Sequence, residues 1–242
     1  MRELYLKSVD ISKSEIPQNN YIYYLSVIKN FKKIEFKKPI TIFVGENGLG
    51  KSTLIEAIAT KWGFNAEGGS RHFNFKTRQT ESDLNKYIKL VKGPYRARDG
   101  YFLRSEPLYN VASYVDDVDV AEAYGGKSLH DQSHGESFLS IFFKRFMGNG
   151  LYILDEPEAA LSPVSQMSLL IRINQLVSLN SQFIIATHSP ILLAIPNAEI
   201  LEITKKGIFE RKYFETEHFK IMKNFFENTE KAVDSLIKKL EI

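Results

Sequence analysis

Residues 45–53 read GENGLGKST and match the spacing G-x-x-x-x-G-K-[ST]. Such a stretch can hold a polyphosphate. Glycines at 45, 48 and 50 let the chain curl, so that backbone N–H groups around Gly45, Asn47, Gly48, Leu49 and Gly50 face one anion. A helix opening at Lys51 would add its positive N-terminal end. Lys51 would reach the β- and γ-phosphates, Ser52 would offer a hydroxyl to Mg²⁺, and Thr53 would lie near the α-phosphate.

Two further stretches bring chemistry of the kind a phosphate loop needs. LYILDEPEAALSP, from Leu151, runs four apolar residues straight into Asp155 and Glu156. Asp155 is expected to hold Mg²⁺ through water, and Glu156 to orient or deprotonate an attacking water. The same acids, with Pro157, would also suit a helix entrance. IIATHSP ends another apolar run at His188, whose imidazole could bond a γ-phosphate or the attacking water. SHGES, residues 133–137, places Ser133 three residues before Glu136, which is the pattern of a capping box at a helix start.

The elements that must position these groups are legible in outline. ITIFVG precedes the phosphate loop as a strand, and the stretch after Lys51 has helical spacing at Leu54, Ile55, Ile58 and Trp62, with Gly63 able to end it. LYLKSV, YYLSVI and KIEF read as short N-terminal strands. Residues 64–130 read as loops with a few helices, and FLSIFFKRFM as a helix closed by Gly148 and Gly150. LYILD and QFIIAT read as strands around a helix over about 163–178, and ILEI with IFERKYF as a hairpin. The tail, about 217–240, reads as one or two amphipathic helices with Phe219, Met222, Phe225, Phe226, Leu236, Ile237 and Leu240 as the apolar set. Packing on their own domain and docking in a partner groove both remain open. Strands alternating with helices indicate an α/β fold with a mostly parallel sheet. Parallel strands deliver ligand-binding residues to their carboxyl edge, which is where Asp155, Glu156 and His188 would then meet the loop.

Composition narrows the class. The 242 residues allow one sizeable core. The chain has no cysteine, which excludes disulfides and thiolate metal sites and fits a reducing, cytoplasmic setting. No apolar run is long enough to span a membrane, and the N-terminus lacks the apolar middle of a signal peptide. Net charge is only +3. Between 86 and 104, however, stand six basic residues (Lys86, Lys89, Lys92, Arg96, Arg98, Arg104) and one acid, Asp99. That stretch reads as a solvated loop or as a nucleic-acid contact.

In their order along the chain, GENGLGKST, SHGES, LYILDEPEAALS and IIATHSP resemble the ABC-type ATPases, and VIKNFKKIEF with VGENGLGKSTLIEAI resembles their soluble RecF/SMC-like branch. GFNAEGGSRHFNF and DQSHGESFL are similar to segments of small bacterial stand-alone ATPases of that branch. The resemblance covers nearly the whole chain. It implies a single P-loop NTPase domain of ABC-type architecture over 1–242, with a mostly parallel central sheet flanked by helices, N-terminal antiparallel strands, and a side lobe over about 64–147. It implies ATP and Mg²⁺ as ligands and an ATP-dependent homodimer, in which Ser133 and the backbone at Gly135 bind the γ-phosphate held by the partner chain. An effector protein or nucleic acid is a further expected partner. Relatives present a glutamine to Mg²⁺ and water, a role for which Gln79 is the candidate here. Relatives commonly carry a second glycine where His134 stands and an aspartate where Ser162 stands. The rival functions are a nucleotide-binding subunit of a membrane transporter and a nucleotide-dependent binding module with negligible turnover.

Overall fold

The computed structural model describes residues 3–70, 82–104, 139, 141–159 and 161–240. Its centre is a six-stranded sheet in the order β5-β6-β7-β3-β8-β9, beside a three-stranded sheet in the order β2-β1-β4. The strands are β1 (Leu6–Ile11), β2 (Ile34–Glu35), β3 (Ile40–Val44), β4 (Ile88–Lys92), β5 (Asp99–Arg104), β6 (Gly150–Asp155), β7 (Gln182–Ala186), β8 (Glu199–Thr204) and β9 (Gly207–Arg211). In the large sheet β5, β6, β7, β3 and β8 run parallel, and β9 returns antiparallel to β8 as a hairpin. The small sheet is antiparallel throughout.

The inner strands β6, β7 and β3 are buried on both faces because they are apolar at both parities. Ile40, Ile42 and Val44 join Tyr152, Leu154, Phe183 and Ile185 in one core, which packs under the helix α2 (Pro163–Ser178) through Leu169, Ile173 and Leu176. The intervening residues Phe43, Leu151, Ile153, Ile184 and Ala186 join the other core. There they meet the small sheet and Leu54, Ile55 and Ile58 of α1 (Lys51–Trp62). A strand with only one apolar face could not occupy these positions.

Helix ends follow local chemistry. α1 begins at Gly50 and stops at Gly63, both in the left-handed region, and the Gly63 N–H bonds Ala59 and Thr60 carbonyls. α2 opens with Pro163 as its first residue, behind Ser162, whose side chain accepts the Ser165 N–H. The tail forms a pair, α3 (Glu217–Glu227) and α4 (Thr229–Leu240). Their apolar set is only partly covered: Phe219, Met222 and Phe225 are half-buried, while Ile221, Phe226 and Ile237 are exposed.

Several sequence expectations change. YYLSVI is not a strand: Tyr21–Tyr24 forms a 3-10 turn and Ser26–Lys29 a helical one. The Asn20 side chain accepts the Ile22 N–H and starts the turn, and the buried residues Ile22, Val27 and Ile28 do not alternate. The range assigned to a side lobe, about 64–147, is partly built into the two sheets, supplying β4 to the small one and β5 to an edge of the large one. The basic stretch 86–104 accordingly contains two strands, with Arg96 and Arg98 in the connection between them. In FLSIFFKRFM, Ile141–Arg145 winds as a π-helical turn.

Candidate functional site

Strand register sets the site. Arg104, Asp155, Ala186 and Phe43 lie in one row across β5, β6, β7 and β3 at the carboxyl edge. The loop 45–50 leaves β3 one residue beyond that row, Glu156 follows Asp155, and His188 follows β7. Groups far apart in sequence therefore meet above one edge, as open parallel sheets arrange their ligand sites.

The loop needs its glycines at specific points. Gly45 has φ +150, and a Cβ there would lie 2.2 Å from the Ile203 carbonyl oxygen. Gly50 has φ +96, and a Cβ there would lie 2.7 Å from Val27 Cγ1. The Lys51 ammonium folds back into the loop, donating to the Gly45 oxygen at 2.7 Å and the Glu46 oxygen at 2.8 Å. Burial pulls the Lys51 pKa down, against Glu156, Asp155 and Glu158, whose charges favour the ammonium.

At the start of α1 the Ser52 hydroxyl donates to Asp155 Oδ1 at 3.0 Å. Asp155 is buried, and desolvation lifts its carboxyl to about 6; Arg104 and the Ser52 hydroxyl work against that rise, while Glu156 and Glu56 add to it. Arg104 bonds Glu56 Oε2 at 3.0 Å and brings Nε to 3.6 Å from Asp155 Oδ2. A hydroxyl and a carboxylate oxygen side by side are hard donors of the type Mg²⁺ takes, usually together with waters and phosphate oxygens. The residues present thus fit that ion, and the buried, half-compensated carboxylate is what an added cation would neutralise. Among the described residues no group of three or more His, Cys, Asp or Glu side chains forms a cluster able to hold a metal ion by itself.

Glu156 has φ +50, a left-handed conformation that a non-glycine residue adopts only where its surroundings enforce it. Its N–H is bonded to the Ala186 carbonyl at 2.9 Å, which holds the turn in place. The result aims its side chain out of the strand line, with Oε1 3.6 Å from His188 Nε2. Glu158 accepts the His188 backbone N–H. His188 Nδ1 lies 3.0 Å from His218 Nε2, on α3. Burial, then the Lys51 charge and His218, lower the His188 pKa to about 4, so the ring is neutral near pH 7.

Lys51, Ser52, Asp155, Glu156 and His188 are thus brought to one place, with the backbone of Gly45, Asn47, Gly48, Leu49 and Gly50 beside them. Ser133, Gly135 and Gln79 lie outside the described residues. Three groups at the site were missed in the sequence. Arg104 belongs to the basic stretch that reads as a solvated loop or a nucleic-acid contact, yet it stands mostly buried between Glu56 and Asp155. Glu158 was visible only as the third acid of DEPE. His218 sits in the tail, where nothing in the spacing points to His188. Of the aromatics ahead of the phosphate loop, Tyr21 and Tyr24 are exposed, whereas Tyr23 and Phe31 pack against the core.

Comparison with known proteins bears on the same residues. An "AAA domain" family model matches residues 19–123. A second, described as "AAA domain, putative AbiEii toxin, Type IV TA system", matches 134–194. No curated protein matches. Among solved structures, an SMC head bound to the C-terminal winged-helix domain of ScpA is similar at 13% identity and TM-score 0.52, covering 86% of this chain and 98% of that one. The SMC head domain from Thermotoga maritima is similar at 15% identity and TM-score 0.47, covering 86% and 99%.

Proposed function

Taking the chain as a P-loop ATPase of ABC-type, SMC-like architecture, we propose that it binds Mg-ATP at the carboxyl edge of the sheet, hydrolyses it, and uses the cycle to close and open a head-to-tail dimer. The observation that carries the reading is the Ser52–Asp155 contact of 3.0 Å beside the loop that holds Lys51.

In this reading Lys51 exchanges its two loop carbonyls for phosphate oxygens, and the N–H groups of the loop and of the first turn of α1 line the phosphate chain. Ser52 and Asp155 hold Mg²⁺, which when bound neutralises charge on the phosphates. Glu156 orients the attacking water and accepts its proton. His188 donates a hydrogen bond to the γ-phosphate or to that water. Ser133 and the Gly135 backbone of a second copy complete the site, so ATP favours the closed dimer and loss of the γ-phosphate releases it. A ligand shifts such an equilibrium only by its differential affinity for the two states, and here the γ-phosphate supplies the difference. The output is a conformational switch of the kind a nucleic-acid-maintenance, defence or regulatory system uses.

The test is light-scattering mass with Mg-ATP on Glu156→Gln, alone and combined with Ser133→Arg. A dimer that forms in the first and is lost in the second supports the sandwich. A Glu156→Gln protein that binds ATP and stays monomeric overturns it for the isolated chain.

A further inference from the structure

If His188 serves phosphate or water as a donor, its proton must sit on Nε2, the nitrogen facing Glu156. A neutral imidazole carries one proton, and which nitrogen holds it is set by the partner of the other. That partner is His218. Resting on the function proposed above, we propose that His218 is a positioning residue: its Nε2–H donates to His188 Nδ1 and holds His188 as the Nε2–H tautomer.

One feature of the structure selects this direction. His188 Nε2 and His218 Nδ1 are both buried with no hydrogen-bond partner among the described residues, so either direction leaves one donor and one lone pair unsatisfied there. The Glu156 carboxylate decides between them: in the reverse arrangement His188 would turn a bare Nε2 lone pair toward it, 3.6 Å away. With His218 donating, an N–H faces that carboxylate instead. Among the described residues His188 Nε2 has no hydrogen-bond partner, so this N–H has no hydrogen bond to give up before a phosphate oxygen or water accepts it.

The start of α3 is fastened so that this contact is held. Thr216 is buried and caps the helix by accepting the Phe219 N–H. Glu202 of β8 accepts the Glu217 N–H at 3.1 Å. The Tyr213 hydroxyl donates to the Pro190 carbonyl, two residues beyond His188. On the other side, Glu158 holds the His188 backbone. The charged groups facing the pair are Lys51, Glu156 and Glu158 from the site, with Glu46, Glu202 and Glu217 around His218. Burial and Lys51 outweigh these acids and keep His218, like His188, below the ordinary histidine range.

The test uses the full chain with ¹⁵N-labelled histidine, reading tautomers by long-range ¹H–¹⁵N correlation near neutral pH, together with ATP turnover and Mg-ATP affinity. In the wild type His188 should be protonated on Nε2. In His218→Phe that preference should be lost and kcat should fall about 10- to 100-fold, with affinity changed less than about threefold, as for other residues that orient a reacting group through a hydrogen bond. His218→Gln, whose amide N–H can donate, should recover most of the rate. An Nδ1–H tautomer in the wild type overturns the proposal, as does a His218→Phe protein with unchanged tautomer and turnover. A wild type that binds ATP without turning it over would count against hydrolysis alone, since the tautomer spectrum still decides the role of His218.

Discussion

Ser52 and Asp155 stand 103 positions apart in the chain and 3.0 Å apart in space. One begins a helix and the other ends a strand two places away in the sheet, with β7 between. The contact leaves Asp155 buried beside an imperfectly aligned cation, Arg104, and this has a consequence for stability. The unfolded chain ionises the carboxyl near 3.9, whereas the folded one holds its proton to about 6. Between those values the folded state binds more protons, so this group's contribution to stability falls as pH rises through the window. Asp155→Asn should therefore stabilise the nucleotide-free protein at pH 7 by up to about 2–3 kcal/mol. The gain should shrink as pH falls toward about 4, and Mg-dependent ATP binding should be lost. Urea unfolding at several pH values, with nucleotide titration, checks both halves.

Arg104 holds two acids, so removing it is costly. Arg104→Met removes the cation that bridges Glu56 and Asp155 and should cost about 3 kcal/mol, the scale for breaking a mostly buried pair. Adding Glu56→Gln should return part of that loss, and a double-mutant cycle measures how much. Because Arg104 lowers the Asp155 pKa, the single variant should also need higher pH to bind Mg-ATP.

The loop glycines are not equivalent. At Gly45 a Cβ meets the Ile203 carbonyl at 2.2 Å, whereas at Gly48 it meets nothing within 4 Å. Gly48→Ala should cost only the left-handed backbone penalty, about 1 kcal/mol. Gly45→Ala should cost about 3 kcal/mol or more, since strain and a backbone clash combine. Thermal melts of the two variants rank them.

Far from the nucleotide edge, Asp99 accepts the Tyr152 hydroxyl at 2.7 Å and Arg145 at 2.8 Å. Burial alone would raise its pKa, but these bonds and the Met147 N–H hold it below the usual range. Its stabilisation is present above the unfolded pKa, near 3.9, and is lost as pH falls through the folded value. Asp99→Asn should cost about 2 kcal/mol near neutral pH, and its deficit relative to wild type should narrow on acidification. Denaturant midpoints between about pH 3 and 7 give the comparison.

The sequence by itself determined the local pieces. GENGLGKST could be placed between a strand and a helix because a β-branched and aromatic run precedes it and helical spacing follows it. Pro163 behind Ser162, and Gly63 after Trp62, mark ends through bonds made within a few residues. For the same reason Asp155, Glu156 and His188 could be named as strand-end groups before any fold was known. YYLSVI misled because its residues favour strands, while the Asn20 cap, a single side-chain bond, turns it into a helical segment.

Only the tertiary structure decided which strands are neighbours, and with that which groups touch. β5 lies in sequence among basic residues, yet parallel pairing with β6 puts Arg104 opposite Asp155. His218 reaches His188 because the β8–β9 hairpin and the capped turn at Thr216 return the tail to the sheet edge. Neither contact leaves a periodic trace in the chain, since a hydrogen bond between distant side chains constrains two positions and nothing between them. Local periodicity encodes elements, and long-range register encodes the site.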